Sequence, residues 1–331
     1  MFRRRRHRRF AALPPACLLL ATVTASVGNA ATLSDPGRSQ AFFSAPTGPE
    51  PPVGSDVSAA GLATARGVMR QFEHRGLKFG LFLPARWQPG AVANHPVIVF
   101  LHGRGESGGF AVTNAQSLPW LLAGNNASFA SQFPFIVVAP QCPQECAMEN
   151  GWQKSVQRGT AELVQEWVTT ELGGDPHRVY LTGQSMGGHG AWTFAAQQPR
   201  LFAAVVVVCG YAQGGEQSAE IARRLVKGGG AVGIYHSADD SVIPVDASDQ
   251  MAKALADADA GKSSLVLRYV RYAHAPGPPI TEFEQLIGHG SYELAYRDEG
   301  LYTWLLQQRC GRCSRPLAHW HPLPEPEMIF G

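Results

Sequence analysis

Six short apolar runs constrain this chain more than any other feature. They are "HPVIVFLHG", "FPFIVVAPQ", "HRVYLTG", "LFAAVVVVCG", "GAVGIYHS" and "SLVLRYVRY". A strand apolar at nearly every position must be covered on both faces, as strands of a parallel sheet are. Between the runs lie segments with helical spacing. In "KSVQRGTAELVQEWVTTELGGD", Val156, Leu163, Val164, Trp167 and Val168 repeat along one face, and Gly173 and Gly174 end it. Further helices are predicted over 186–198, 217–227, 246–259 and 291–308. Short buried strands alternating with helices give β-α-β units, hence an α/β fold with a mostly parallel, doubly wound sheet and helices on both faces. Ahead of it, "VMRQFEHRGLKFGLFLP" holds two strand-like runs around "HRG", an antiparallel hairpin signal. No internal repeat and no second core are visible. One domain is therefore predicted over 67–309. Its long polar stretch 108–133 reads as an insertion over a pocket, and 275–288 as a second insertion.

The ends read differently. "MFRRRRHRRF", then "ALPPACLLLATVTASV", then small residues to Ala30, is the layout of an export signal peptide over 1–30. Its apolar stretch is too short to span a bilayer comfortably, so no stable membrane insertion is expected after cleavage. Removing its six arginines, with no acids among them, takes the formal charge from +2 to −4. The remainder shows no basic stripe, which excludes nucleic acid as a partner on electrostatic grounds. Residues 31–66 read as a flexible lead-in of Pro, Gly, Ser and Ala, and 310–331 as a proline-rich tail. An exported protein keeps disulfides. The close pairs Cys142/Cys146 and Cys310/Cys313 are the expected bridges, with Cys209 free and buried. Zinc at Cys310 and Cys313 with His319 and His321 is the alternative for the second pair, but the tail shows no organised ligand frame.

Ligands of an open α/β sheet sit at the carboxyl ends of its strands. "VYLTG" leads into Gly183-Gln184-Ser185-Met186-Gly187, a G-x-S-x-G between strand and helix. The glycines two residues either side clear room for a sharp turn that projects Ser185 at a helix N-terminus. "GIYHS" is followed by Asp239 and Asp240, and "SLVLRYVRY" by His274 and later His289. Ser185, Asp240 and His289 are the preferred nucleophile, acid and base; Asp239 and His274 are the neighbours each could be confused with. His289 lies just before the last helix, with Ser291 as a possible N-cap, whereas "APGPP" pulls the chain away after His274. His102 and His189 are expected to make local hydrogen bonds. The backbone N–H groups of Met186 and of Arg104, in "HGRGESGG", are the expected oxyanion donors. That loop lacks the Gly-Lys-Ser/Thr ending of a phosphate loop. Trp152 and Gln184 are expected at the substrate, with Trp120, Leu121 and Phe110 as further pocket walls. No metal or organic cofactor is implied.

The chain from about 67 to 308 resembles the α/β-hydrolases, in particular their predicted-peptidase and carboxylesterase branch of polyhydroxybutyrate-depolymerase-like and feruloyl-esterase-like enzymes. "LHGRGESGG", "VVAPQCP", "DPHRVYLTGQSMGGHGAW", "HSADDSVIP" and "HGSYELAYRDEGLYTWLL" carry the resemblance, in order. The family's pattern places the acid at Asp240 and the base at His289. Ser237 stands where the family usually has glycine, and "APGPPITEFEQLIG" before His289 is extra. The resemblance implies hydrolysis of a small-molecule or oligomeric ester through an acyl-serine. A peptidase or acyltransferase on the same triad, or a non-catalytic binding protein with the same fold, are the alternatives.

Overall fold

The computed structural model describes residues 57–90, 92, 94–109, 115–262, 264–279, 283–311, 313 and 320–323. The expected signal peptide, most of the lead-in, Phe110 and most of the tail lie outside these residues. Eight strands form one sheet: β1 (Arg70–His74), β2 (Leu77–Phe82), β3 (His95–Leu101), β4 (Ile136–Pro140), β5 (Gly174–Gln184), β6 (Ala204–Val208), β7 (Ala231–Ser237) and β8 (Leu267–Tyr272). Their order is β1-β2-β4-β3-β5-β6-β7-β8. β1 pairs with β2, and β2 with β4, antiparallel; every other pairing is parallel. This is the mostly parallel sheet expected from the apolar runs, in the α/β-hydrolase arrangement that the resemblance implies.

The reason the runs are apolar throughout is visible in β3. Val97, Val99 and Leu101 enter one core, while Ile98 and Phe100 enter the other, on the opposite face. The first core also takes residues of α5 (Lys154–Leu163), α6 (Met186–Gln197), α7 (Gly215–Gly228) and α8 (Asp246–Asp259). The second takes residues of α2 (Leu118–Trp120), α3 (Ala127–Gln132), α9 (Ser291–Ala295) and α10 (Glu299–Gln307). Two further short helices, α1 (Ala59–Ala63) and α4 (Gln144–Glu149), lie at the edges of this frame.

Four expectations change. The lead-in does not stay free to residue 66: Ser58 caps α1, Leu62 and Ala65 are buried, and Arg66 bridges to Leu83. The described part of 108–133 is not a polar cover. Leu118, Leu121, Leu122 and Phe133 bury themselves in the second core, so these apolar residues outweigh the polar ones around them. The helix expected over 291–308 breaks into α9 and α10, because the Asp298 carboxylate accepts the Gly300 N–H and starts a new helix. Ser291 lies inside the first turn of α9 and Gly290 is its cap residue. Cys142–Cys146 and Cys310–Cys313 are disulfides, and Cys209 is a buried free thiol. Among the described residues, no helix is long and apolar enough to cross a membrane.

Candidate active site

Ser185 links β5 to α6 with φ 54° and ψ −122°, a left-handed conformation that a side-chain-bearing residue adopts at a cost of about 1–3 kcal/mol. The surroundings hold it there. Its N–H donates to Val208 O at 3.0 Å, and its carbonyl accepts from Gly188 and His189 N–H at 2.9 and 3.1 Å. A Cβ on Gly183 would overlap the Gly187 carbonyl, and one on Gly187 the Leu101 carbonyl. The glycines on either side of the serine are thus required by backbone on backbone.

His289 stands just ahead of α9. Its Nε2 is 3.0 Å from Ser185 Oγ, and its Nδ1 is 2.9 Å from Asp240 Oδ2 and 3.2 Å from Oδ1. Asp240, in the turn after β7, is saturated. Oδ1 accepts the N–H groups of Val242 and Ile243 at 2.8 and 2.9 Å, and Oδ2 also faces His236 Nε2 at 3.1 Å. Because His236 Nε2 faces two acceptors, Asp240 Oδ2 and Ile243 O, it carries the proton and donates; its Nδ1 then accepts from Ser248 Oγ at 2.7 Å. Burial alone would raise the Asp240 carboxyl, but the hydrogen bonds from His236 and His289 prevail and hold it well below the usual carboxylate range.

The two neighbours go elsewhere. His274 Nδ1 meets Asp239 Oδ2 at 3.1 Å, and the His274 side chain is 86% exposed. Asp239 also accepts from the Ser237 hydroxyl and the Ala275 N–H. The structure therefore brings together Ser185, His289 and Asp240, and leaves His274 and Asp239 paired at the surface.

Gly103 and the one-turn 3-10 helix Arg104–Glu106 run beside the nucleophile: a Cβ on Gly103 would lie 3.7 Å from Ser185 Cβ. Arg104 Nε donates to Ala147 O at 2.8 Å, tying this turn to α4. Below it, His102 is fully buried. Its Nε2 accepts from Cys142 N–H at 3.0 Å, so Nδ1 carries the proton and donates to Gly103 O at 2.7 Å. Burial lowers its pKa to about 4, keeping it neutral. His189 donates from or accepts at Nδ1 against Tyr211 O, and here only donation fits a carbonyl.

Trp152 and Gln184, expected at the substrate, are 5% and 2% exposed. Trp152 packs on His102, donates to His102 O at 3.2 Å and closes on Gly190, so it supports the turn at Gly103 from within. Gln184 points its amide at Glu106. Leu121 is buried in the second core, and Trp120 lies under the Arg297 guanidinium. Sequence reasoning passed over His236 and Glu106 as site residues, and placed Cys209 only as a buried free thiol. The first two were visible only as polar residues inside otherwise glycine-rich or apolar motifs. Cys209 Sγ, an Asp240 oxygen and a His289 nitrogen lie within 4.8 Å of one another. They do not fit a metal site: Asp240 already accepts four hydrogen bonds, and burial raises the thiol far above its usual range.

This site, at the carboxyl ends of β5, β7 and the chain beyond β8, is that of an α/β-hydrolase. Residues 73–241, just over half of the chain, match the family model Esterase, described as "Putative esterase", and the chain belongs to that family. Among solved structures, a thermostable esterase is similar at 27% identity and TM-score 0.54, over 73% of this chain and 63% of its own. The chain thus spans under two thirds of that esterase's length. A protein described as "Putative Dienelactone Hydrolase" from Klebsiella pneumoniae subsp. pneumoniae is 18% identical with TM-score 0.50, over 72% of this chain and 97% of its own, a likeness of fold. No curated protein matches.

Proposed function

We propose that this protein is an exported serine hydrolase that cleaves carboxylic esters. The observation that carries the reading is the unbroken chain from Ser185 Oγ to His289 Nε2 (3.0 Å) and from His289 Nδ1 to Asp240 Oδ2 (2.9 Å). His289 Nε2 takes the serine proton as Oγ attacks the ester carbonyl. The N–H groups of Met186 and Arg104 stabilise the oxyanion, and the proton returns to the leaving alcohol. Water, activated by the same nitrogen, then releases the acid from the acyl-serine. Asp240 holds the tautomer with the proton on Nδ1 and stabilises the imidazolium that forms. Membership of the Esterase family and the likeness to a thermostable esterase support the ester as substrate. Two disulfides and the basic, then apolar, N-terminus support export, an oxidising compartment being where such bonds persist.

The test is a fluorophosphonate probe followed by peptide mapping, beside a panel of p-nitrophenyl, feruloyl, acetyl-sugar and hydroxybutyrate esters and one peptide amide. Label on Ser185 and turnover of esters are expected. Label elsewhere, or turnover of the amide alone, would refute the reading.

A further inference from the structure

Glu106 has no part in the reaction as written above, yet it lies against the nucleophile's turn and is only 3% exposed. Its Oε2 accepts the Gly103 N–H at 2.8 Å, and Gln184 Nε2 approaches the same oxygen at 3.4 Å. The other oxygen, Oε1, is buried with no hydrogen-bond partner among the described residues, and so is Gln184 Oε1. An ionised carboxylate there would be a buried charge with idle lone pairs and no cation beside it, which is costly. Arg104, on the same turn, directs its Nε to Ala147 O, and the balance at Glu106 is set by burial against hydrogen bonds from Gly103 and Gln184, with no charged partner among the described residues. His102, on the same turn, is neutral, and Tyr292 and Tyr296 at the end of the chain around α9 are held far above the ordinary phenol range by burial. From the elbow come Gln184 and Ser185, neither ionised at neutral pH.

A carboxylic acid and a primary amide have complementary edges: the amide N–H meets the acid carbonyl, and the acid O–H meets the amide carbonyl. Here the first half is present, and the two oxygens that would form the second half each lack a donor. One proton on Glu106 Oε1 supplies it. We propose that Glu106 is a positioning residue, held as the neutral acid, that ties the oxyanion turn at Gly103 to the Gln184–Ser185 elbow and weakens catalysis when it ionises. Burial supports this, raising the carboxyl to about 8 against the opposing hydrogen bonds from Gly103 and Gln184. In the reaction proposed above the oxyanion is held by the Met186 and Arg104 N–H groups, and Arg104 directly follows Gly103, whose N–H Glu106 holds. A carboxylate at Glu106 repels that oxyanion.

The inference rests on the esterase reading for its kinetic effect but not for its proton. With a p-nitrophenyl ester, corrected for spontaneous hydrolysis, wild-type kcat is expected to fall about tenfold between pH 7.5 and 9.5 as the carboxylate forms. In Glu106→Gln the side chain stays neutral, and the ratio of kcat at the two pH values is expected to change less than about twofold. Glu106→Leu cannot accept the Gly103 N–H. It is expected to lose about tenfold in kcat at both pH values with KM little moved. A Glu106→Gln variant with the wild-type alkaline limb, or a wild type without one, overturns the proposal. Thermal unfolding between pH 5 and 9, in a Ser185→Ala background, reads the proton without any turnover. An acid whose folded value is raised contributes its full stability below its unfolded value, near 4.3, and loses it as pH rises to the folded value. The melting temperature with Glu106 should therefore drop relative to Glu106→Gln as pH rises from 5 to 8. A constant difference sinks the proposal even if every ester is hydrolysed. Absence of any hydrolysis would sink the esterase reading and leave the melting comparison to decide on Glu106.

Discussion

Two histidine–aspartate pairs lie side by side in this molecule, and their distances hardly differ. His289 meets Asp240 at 2.9 Å, and His274 meets Asp239 at 3.1 Å. What separates them is everything around the pair. The His289 and Asp240 side chains are 9% and 0% exposed, and Asp240 is gripped by two backbone N–H groups and a second imidazole. The His274 side chain is 86% exposed to water, where a paired charge is worth little. Only the first imidazole reaches a hydroxyl, at Ser185. A short contact is therefore no sign of a catalytic pair. Burial, a saturated carboxylate and a hydroxyl on the outer nitrogen set the first pair apart, and they are what the proposed reaction uses.

The comparison can be broken at the imidazoles first. His289→Ala is expected to lose about 10⁴–10⁶ in kcat, comparable to Ser185→Ala, because units of one relay fail together. His274→Ala is expected to stay within about threefold, since exposed pairs contribute little. The reverse ranking in steady-state ester hydrolysis would exchange the two pairs. At the acids, Asp240→Asn should cost about 10⁴ through the wrong imidazole tautomer, and Asp239→Asn about twofold or less. Smaller than the loss at Asp240 is the effect expected of the imidazole behind it. His236→Phe removes one donor from Asp240 Oδ2 and is expected to lower kcat about 10- to 100-fold, as loss of a supporting hydrogen bond does. KM should barely move, and His236→Gln, which can still donate, should recover most of the rate. The smallest expected effect is on acid stability. Asp240 has a folded value below its unfolded one, near 3.9, so its contribution is complete above that pH and disappears as pH falls further. Acid unfolding monitored by circular dichroism should flatten in Asp240→Asn and remain unchanged in a variant lacking only the exposed His274.

The sheet was legible because its cause is local. A strand covered on both faces must be apolar where it is covered, and β6, the 97–101 part of β3 and the 231–235 part of β7 are. The sharp turn at Ser185 was legible for a similar reason: the demand for glycine at 183 comes from the Gly187 carbonyl four residues on, although that at 187 comes from the distant Leu101 carbonyl. The choice between Asp239 and Asp240 rested on adjacent residues that a turn aims in different directions. That aim depends on residue 288, where a Cβ would collide with the Asp239 backbone, a contact 49 positions away in sequence. Glu106 and His236 were not legible as site residues because burial of a polar group is a property of the assembled core. Trp152 misled for the opposite reason. Its indole packs under the turn at Gly103, filling the space that Gly190 leaves, and aromatic residues fill cores and line pockets with the same chemistry.

The positive φ at Ser185 has a consequence for how this protein can be improved. The dihedral that presents the hydroxyl is one that glycine would adopt without strain, so Ser185→Gly relaxes the fold while erasing the chemistry. Thermal robustness and turnover thus pull in opposite directions on a single torsion angle. A directed-evolution screen for heat tolerance that does not also demand product would favour losing the nucleophile, and a library meant to yield a sturdier catalyst has to keep position 185 out of its reach.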